Sequence, residues 1–141
     1  MAATHVHTAS ATPDHRTLRR VLWGLQITIG LFLIVASALP KFAGQKDAVE
    51  TFVKIGWGEW FRYLTGAVEL AGGIGLLIPR LAGAAATGLV GLMIGAAIAQ
   101  CTALDAPGLV VLPIVFGVVL AVVAWERRAE TRALVRSVTG R

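Results

Sequence analysis

The chain has 141 residues, 56% of them hydrophobic, with 16 glycines, 15% charged residues and a net charge of +5. From Leu81 to Trp125 the only charged side chain is Asp105; no soluble fold hides so much chain behind one carboxylate, so the composition indicates an integral membrane protein. The positive charge comes from arginines flanking apolar runs, which excludes a nucleic-acid binder, and a single cysteine excludes an intramolecular disulfide or a Cys-x-x-Cys redox centre.

Residues 1–17 are polar and small, without hydrophobic periodicity, and are expected to form a disordered cytoplasmic tail. His5, His7 and His15 lie in this tail, where nothing fixes a ligand geometry, so no metal site is expected. Arg19 and Arg20 then precede an uncharged run over 21–40. Twenty helical residues span about 30 Å, the thickness of the hydrocarbon core, which makes this the first expected span. Pro40 is expected to mark its exit, because proline does not continue a helix cleanly. A rival reading takes Arg19-Arg20, the apolar run and Ala36-Ser37-Ala38 as a signal peptide with its cleavage site. The apolar run is long for that role.

After Lys41, the residues Val49, Phe52 and Val53 recur at i, i+3 and i+4 among Lys46, Asp47, Glu50 and Lys54. This predicts a short amphipathic helix lying on the membrane surface. Trp57 and Trp60 follow in a turn. A second span is expected over 61–78, interrupted by Glu69, then a tight turn at Pro79-Arg80. A third, rich in glycine and alanine, is expected over 81–100. Asp105-Ala106-Pro107-Gly108 signals a turn, and a fourth span covers 109–125 with Pro113 early in it. The fold expected is all-α: an antiparallel four-transmembrane-helix bundle over 18–125 with one short amphipathic segment on its outer side. Residues 126–141 form a basic cytoplasmic tail in which Arg128, Arg132 and Arg136 share one face. That face reads as a topological anchor, compatible with a grip on anionic headgroups.

Orientation follows from the alternate segments. Arg16, Arg19, Arg20, Arg80, Arg127, Arg128, Arg132, Arg136 and Arg141 fall on one side; Lys41, Lys46, Lys54 and Arg62 fall on the other. The excess places both termini in the cytoplasm. Trp23 and Trp125 then mark the inner interface, and Trp57, Trp60 and Tyr63 the outer one.

Gly66, Gly72, Gly73 and Gly75 in the second span, and Ala84, Gly88, Gly91 and Gly95 in the third, suggest close packing of these two helices through their glycine faces. Glu69 is not explained by packing. On a helix its neighbours are Thr65, Gly66, Gly72 and Gly73, and an acid at that depth costs about 2.5–3.5 kcal/mol on insertion scales. It is expected to point into the bundle, either as a proton-handling or ligand-binding group or as a structural carboxyl. Lys41 is its first candidate for a charged partner, although a lysine there would tend to snorkel outward. Gln26, Thr28, Ser37 and Gln100 are further polar groups that could line the interior. Cys101 reads as a lone small apolar residue at the outer end of the third span.

The Leu39-Pro40-Lys41-Phe42 sequence, Gly66-Ala-Val-Glu69-Leu-Ala-Gly-Gly73, the Leu-Ile-Pro-Arg-Leu turn (77–81) and the glycine-rich third span together resemble the DoxX-like family of small four-helix bacterial membrane proteins. The resemblance implies a location in the bacterial cytoplasmic membrane and association with redox or detoxification machinery. Its relatives include a membrane subunit of thiosulfate:quinone oxidoreductase and an assembly partner of a superoxide dismutase and a sulfurtransferase. It implies Glu69 and Lys41 as the site; Thr65, Gly66 and Gly73, the helical neighbours of Glu69, and the polar Gln100 are read from their positions as supporting residues. With no cysteine pair, no histidine in a span and no nucleotide motif, the chain lacks what a self-sufficient oxidoreductase needs. No metal and no covalently held cofactor is expected. Two functions are open: an accessory or scaffold subunit with a soluble or membrane oxidoreductase as partner, or a stand-alone bundle moving protons or an apolar molecule such as a quinone. An oligomer is compatible with either.

Overall fold

A computed structural model of the chain describes residues 15–140, and every regular element in that range is helical. The expected tail falls outside it as far as residue 14; His15 to Thr17, expected in that tail, already belong to the first helix. That helix, α1, runs over His15–Phe42. It does not end at Pro40. A π-helical stretch, Leu33–Ala38, precedes the proline, and Leu39 donates its N–H to the carbonyl of Ile34, five residues back. Proline lacks the N–H that an α-helical register would require and crowds the carbonyl four residues earlier; the wider π turn relieves both, so the helix continues through Pro40. It closes when Gln45 N–H bonds the Pro40 carbonyl at 3.0 Å.

The amphipathic segment forms α2, Lys46–Ile55, with Phe52 as its buried residue. Gly56 and Gly58 turn the chain at φ +79° and +87°, a backbone state that favours glycine. Then come α3 (Glu59–Leu77) and α4 (Ala82–Thr102). A 3-10 turn at Pro107–Val110 leads into α5 (Val111–Glu126). Pro113 falls in the first turn of α5, where an N–H has no helical acceptor anyway. The last element, α6, covers Arg128–Thr139.

The packing order follows from the contacts. Along α1, Gln26 meets Leu76, Gly30 meets Gly73, and Lys41 meets Glu69. The partner numbers fall as those of α1 rise, so α1 and α3 run in opposite directions. Gly75 facing Ala85 and Gly72 facing Leu89 give the same result for α3 and α4. Between α4 and α5, Gly117 lies by Met93, and Gly83 lies by Arg127 at the other end. The core joins Ile29, Leu33, Leu76, Ala86, Leu89, Met93, Leu120 and Val123.

Three helices, His15–Phe42, Ala82–Thr102 and Pro107–Glu126, are long and apolar enough to cross a membrane. Only 17–28% of each such stretch is buried inside the chain, so most of their apolar side chains face outward. Val35, Ile94, Ile98 and Val118 are among those exposed. Water would not favour such a surface over so much of the molecule; lipid does.

The expected pairing of two glycine faces is not what forms. Gly72 and Gly75 do face α4, but they meet Leu89 and Ala85, while Gly66 and Gly73 face α1. A Cβ placed on Gly88, Gly91 or Gly95 would meet nothing within 4 Å. The buried residues of α4 are Ala82, Gly83, Ala86, Leu89 and Met93. At 3.6 residues per turn, Gly88, Gly91 and Gly95 lie on the opposite side of that helix. A small-residue repeat shows that a face is smooth, but not which helix covers it.

Candidate functional site

On α3 the residues Arg62, Gly66, Glu69, Gly73 and Leu76 are buried. Their spacing of four, three, four and three is that of one helix face, and α1 covers it. Glycine at 66 matters because a Cβ there would stand 3.3 Å from Lys41 Cβ and 3.4 Å from the Phe42 ring. Without one, α1 comes close enough for Lys41 to turn inward rather than snorkel.

Lys41 Nζ donates to Glu69 Oε2 at 2.8 Å, to Ser37 Oγ at 2.9 Å and to the Ser37 carbonyl at 3.2 Å. An ammonium has three N–H donors, so all three are used. Glu69 itself is 7% exposed. Among the described residues its Oε2 is bonded and its Oε1 is a free acceptor.

Sequence reasoning placed Arg62 among the outer interfacial cations; the structure buries it to 3% exposure. Its Nη1 donates to the Lys41 carbonyl, near the end of α1 where carbonyls lack helical partners. Its Nη2 donates to Tyr63 Oη at 3.1 Å and lies 3.7 Å from Glu59. The guanidinium also stacks over the Tyr63 ring at 4.4 Å. The signal was its position two turns before Glu69, on the same face.

The proposed supporting residues divide. Gly66 belongs to the site. Thr65 bonds its own helix, at the carbonyls of Phe61 and Arg62, and does not touch the carboxylate. Gly73 serves the Gly30 contact one turn away. Gln100 is no partner of Lys41 or Glu69, and its buried Oε1 has no hydrogen-bond partner. Ser37, weighed only as a lining group, is a direct ligand of Lys41. Thr28 bonds the carbonyl of Gly24 on its own helix.

A second polar cluster lies at the other end of the α1–α3 contact. Gln26, 1% exposed, donates through Nε2 to the Leu76 carbonyl and accepts at Oε1 from Arg127 Nε at 3.1 Å. Arg127 Nη1 continues to the Pro79 carbonyl at 3.4 Å and to Glu130 Oε2 at 2.9 Å. One amide therefore joins α1, the end of α3 and the α5–α6 junction. Among the described residues no group of three or more His, Cys, Asp or Glu side chains could hold a metal ion, and Cys101 is exposed.

The sequence model of the DoxX-like family matches residues 24–123. That range covers α1 from just before Gln26 to the buried Val123, and so contains Lys41, Arg62 and Glu69. No curated protein matches the chain. No solved structure matches it either.

Proposed function

Since the chain belongs to the DoxX-like family, we propose that this multi-pass membrane protein is an accessory or scaffold subunit for membrane-bound redox or detoxification machinery, with any electron chemistry residing in its partner. The observation that carries this reading is the closed state of Lys41: its three donors are taken by Glu69 and Ser37. A lysine so saturated acts as a pin between α1 and α3. In this reading the pair fixes one arrangement of the two helices, since desolvation offsets much of the Coulombic gain that it could add to stability.

The same reading takes α3 as a fourth span in an antiparallel bundle. Its charges Arg62 and Glu69 turn inward, while Leu64, Val68 and Ile74 are exposed, so lipid would meet apolar side chains. The Gln26–Arg127 bond brings the N-terminal half of α1 beside the end of α5, which fits an even number of crossings. With the larger share of arginines at that end, both termini lie in the cytoplasm of a bacterial cell.

One feature favours the carrier function as a second reading: the free Oε1 of Glu69 is an acceptor at membrane depth, where ionisable groups commonly serve transport. A nanodisc pull-down from the native host, analysed for proteins and small molecules, separates the two. The scaffold reading expects an oxidoreductase to copurify with the wild type and equally with Glu69→Gln. Recovery of a quinone or another small molecule without a protein partner, lost in Glu69→Gln, would replace it with the carrier.

A further inference from the structure

Beside the Gln26–Arg127 bond lies a cleft of about 320 Å³, within the size range of small-molecule sites. It opens between α1 and the α5–α6 junction. Leu22 and Val123 give it an apolar floor, and Trp23 stands at its side. Its charges are Arg19 and Arg127 against Glu126 and Glu130, so the lining is neutral in sum and divided in sign.

Two of these four charges are paired with each other, Arg127 with Glu130 at 2.9 Å. Arg19 and Glu126 line the same cleft, yet among the described residues neither side chain forms an ion pair or a hydrogen bond. Arg127 keeps capacity as well: its Nε and Nη1 are engaged by Gln26, Pro79 and Glu130, which leaves Nη2 to donate. The cleft thus offers one guanidinium, Arg19, and one carboxylate, Glu126, that the chain does not itself join, and beside them the Arg127–Glu130 pair with Nη2 of Arg127 still able to donate. Arginine and tryptophan at the end of a span mark the depth of lipid headgroups.

A purely anionic headgroup would meet Glu126 and Glu130, and a purely cationic ligand would meet Arg19 and Arg127. A zwitterion meets neither conflict. We propose that this cleft holds the headgroup of an ethanolamine phospholipid drawn from the surrounding bilayer. The phosphate accepts from Arg19 and from Nη2 of Arg127; the primary ammonium donates to Glu126 and Glu130. The acyl chains leave along the apolar faces of α1 and α5. A carboxylate selects a primary ammonium over a choline because only the former has N–H groups to donate.

Native mass spectrometry of the full chain, released from membranes holding equal amounts of phosphatidylethanolamine, phosphatidylglycerol and phosphatidylcholine, tests this. Retention of phosphatidylethanolamine is expected to exceed that of either other lipid. Arg19→Gln and Glu126→Gln should each lower it about fivefold, the equivalent of ~1 kcal/mol for one interfacial charge. Both residues are exposed, so thermal melting should not change. Stepwise N-methylation of the ethanolamine should lower retention by the wild type, an arm that needs no variant. Preferential retention of phosphatidylglycerol would make the cleft an anion site and overturn the proposal. Equal retention of all three lipids would overturn it too, as would a preference for ethanolamine that survives both substitutions.

Discussion

At one end of the α1–α3 contact a full ion pair, Lys41–Glu69, holds the helices; at the other end a neutral amide, Gln26, does so. The ion pair links residues 28 apart, and it needs only α1 and α3. The amide accepts from Arg127, 101 residues away, so it is completed only when the α5–α6 junction has docked. The two ties also fail differently. Removing one partner of a buried pair leaves the other charge without compensation, whereas removing an amide leaves a carbonyl and an arginine that has other acceptors. The Lys41 end therefore sets which helices meet, and the Gln26 end reports that the rest of the chain has arrived.

The sharpest way to break that contrast is Glu69→Leu. Lys41 would remain buried against Ser37 alone, and the expected loss is about 3–5 kcal/mol in a detergent or bilayer unfolding measurement. Adding Lys41→Met should recover most of it, because the pair is then replaced by apolar side chains. A single variant as stable as the wild type would mean that Lys41 reaches water without cost, and the pin would be lost as an idea.

At the other end, Gln26→Leu leaves the Leu76 carbonyl without its donor and takes one acceptor from Arg127. A loss of about 1–3 kcal/mol is expected, smaller than at Glu69 because Arg127 keeps Pro79 and Glu130. Arg127→Gln removes the Pro79 and Glu130 bonds as well, but it shares the Gln26 bond with Gln26→Leu, so the double variant should lose less than the sum of the two single losses. A double variant that loses the full sum of both would place them in separate networks.

Much of this was legible beforehand, and the gaps have physical causes. Lys41 and Glu69 stood out because a charge inside an apolar run needs a partner, and one lysine flanked the facing helix. Arg62 was hidden by its place at a helix start, where an arginine ordinarily faces water; only its seven-residue offset from Glu69 indicated burial. Gln26 carried no sign of a partner 101 residues away, since polarity inside a span says that a bond exists without saying to what. Pro40 misled in another way: the rule that proline ends helices holds for the α register, and the π stretch before it changes the register.

The smallest effects test the two sets of glycines, which the sequence presents alike. At Gly73 a Cβ would stand 2.9 Å from the Gly30 carbonyl oxygen and 2.8 Å from Ile34 Cγ1. Backbone cannot yield there without separating α1 from α3, so Gly73→Ala should destabilise by about 1–3 kcal/mol. At Gly91 the same methyl group enters open space. What remains is the backbone term: alanine loses less conformational freedom than glycine on entering a helix, worth about 0.5–1 kcal/mol. Gly91→Ala should therefore be neutral or slightly stabilising, opposite in sign to Gly73→Ala. Melting both variants in the same detergent gives the comparison directly. Equal losses at the two positions would mean that the Gly91 face is covered in the folded protein, and the packing order drawn from Leu89 and Ala85 would have to be redrawn around it.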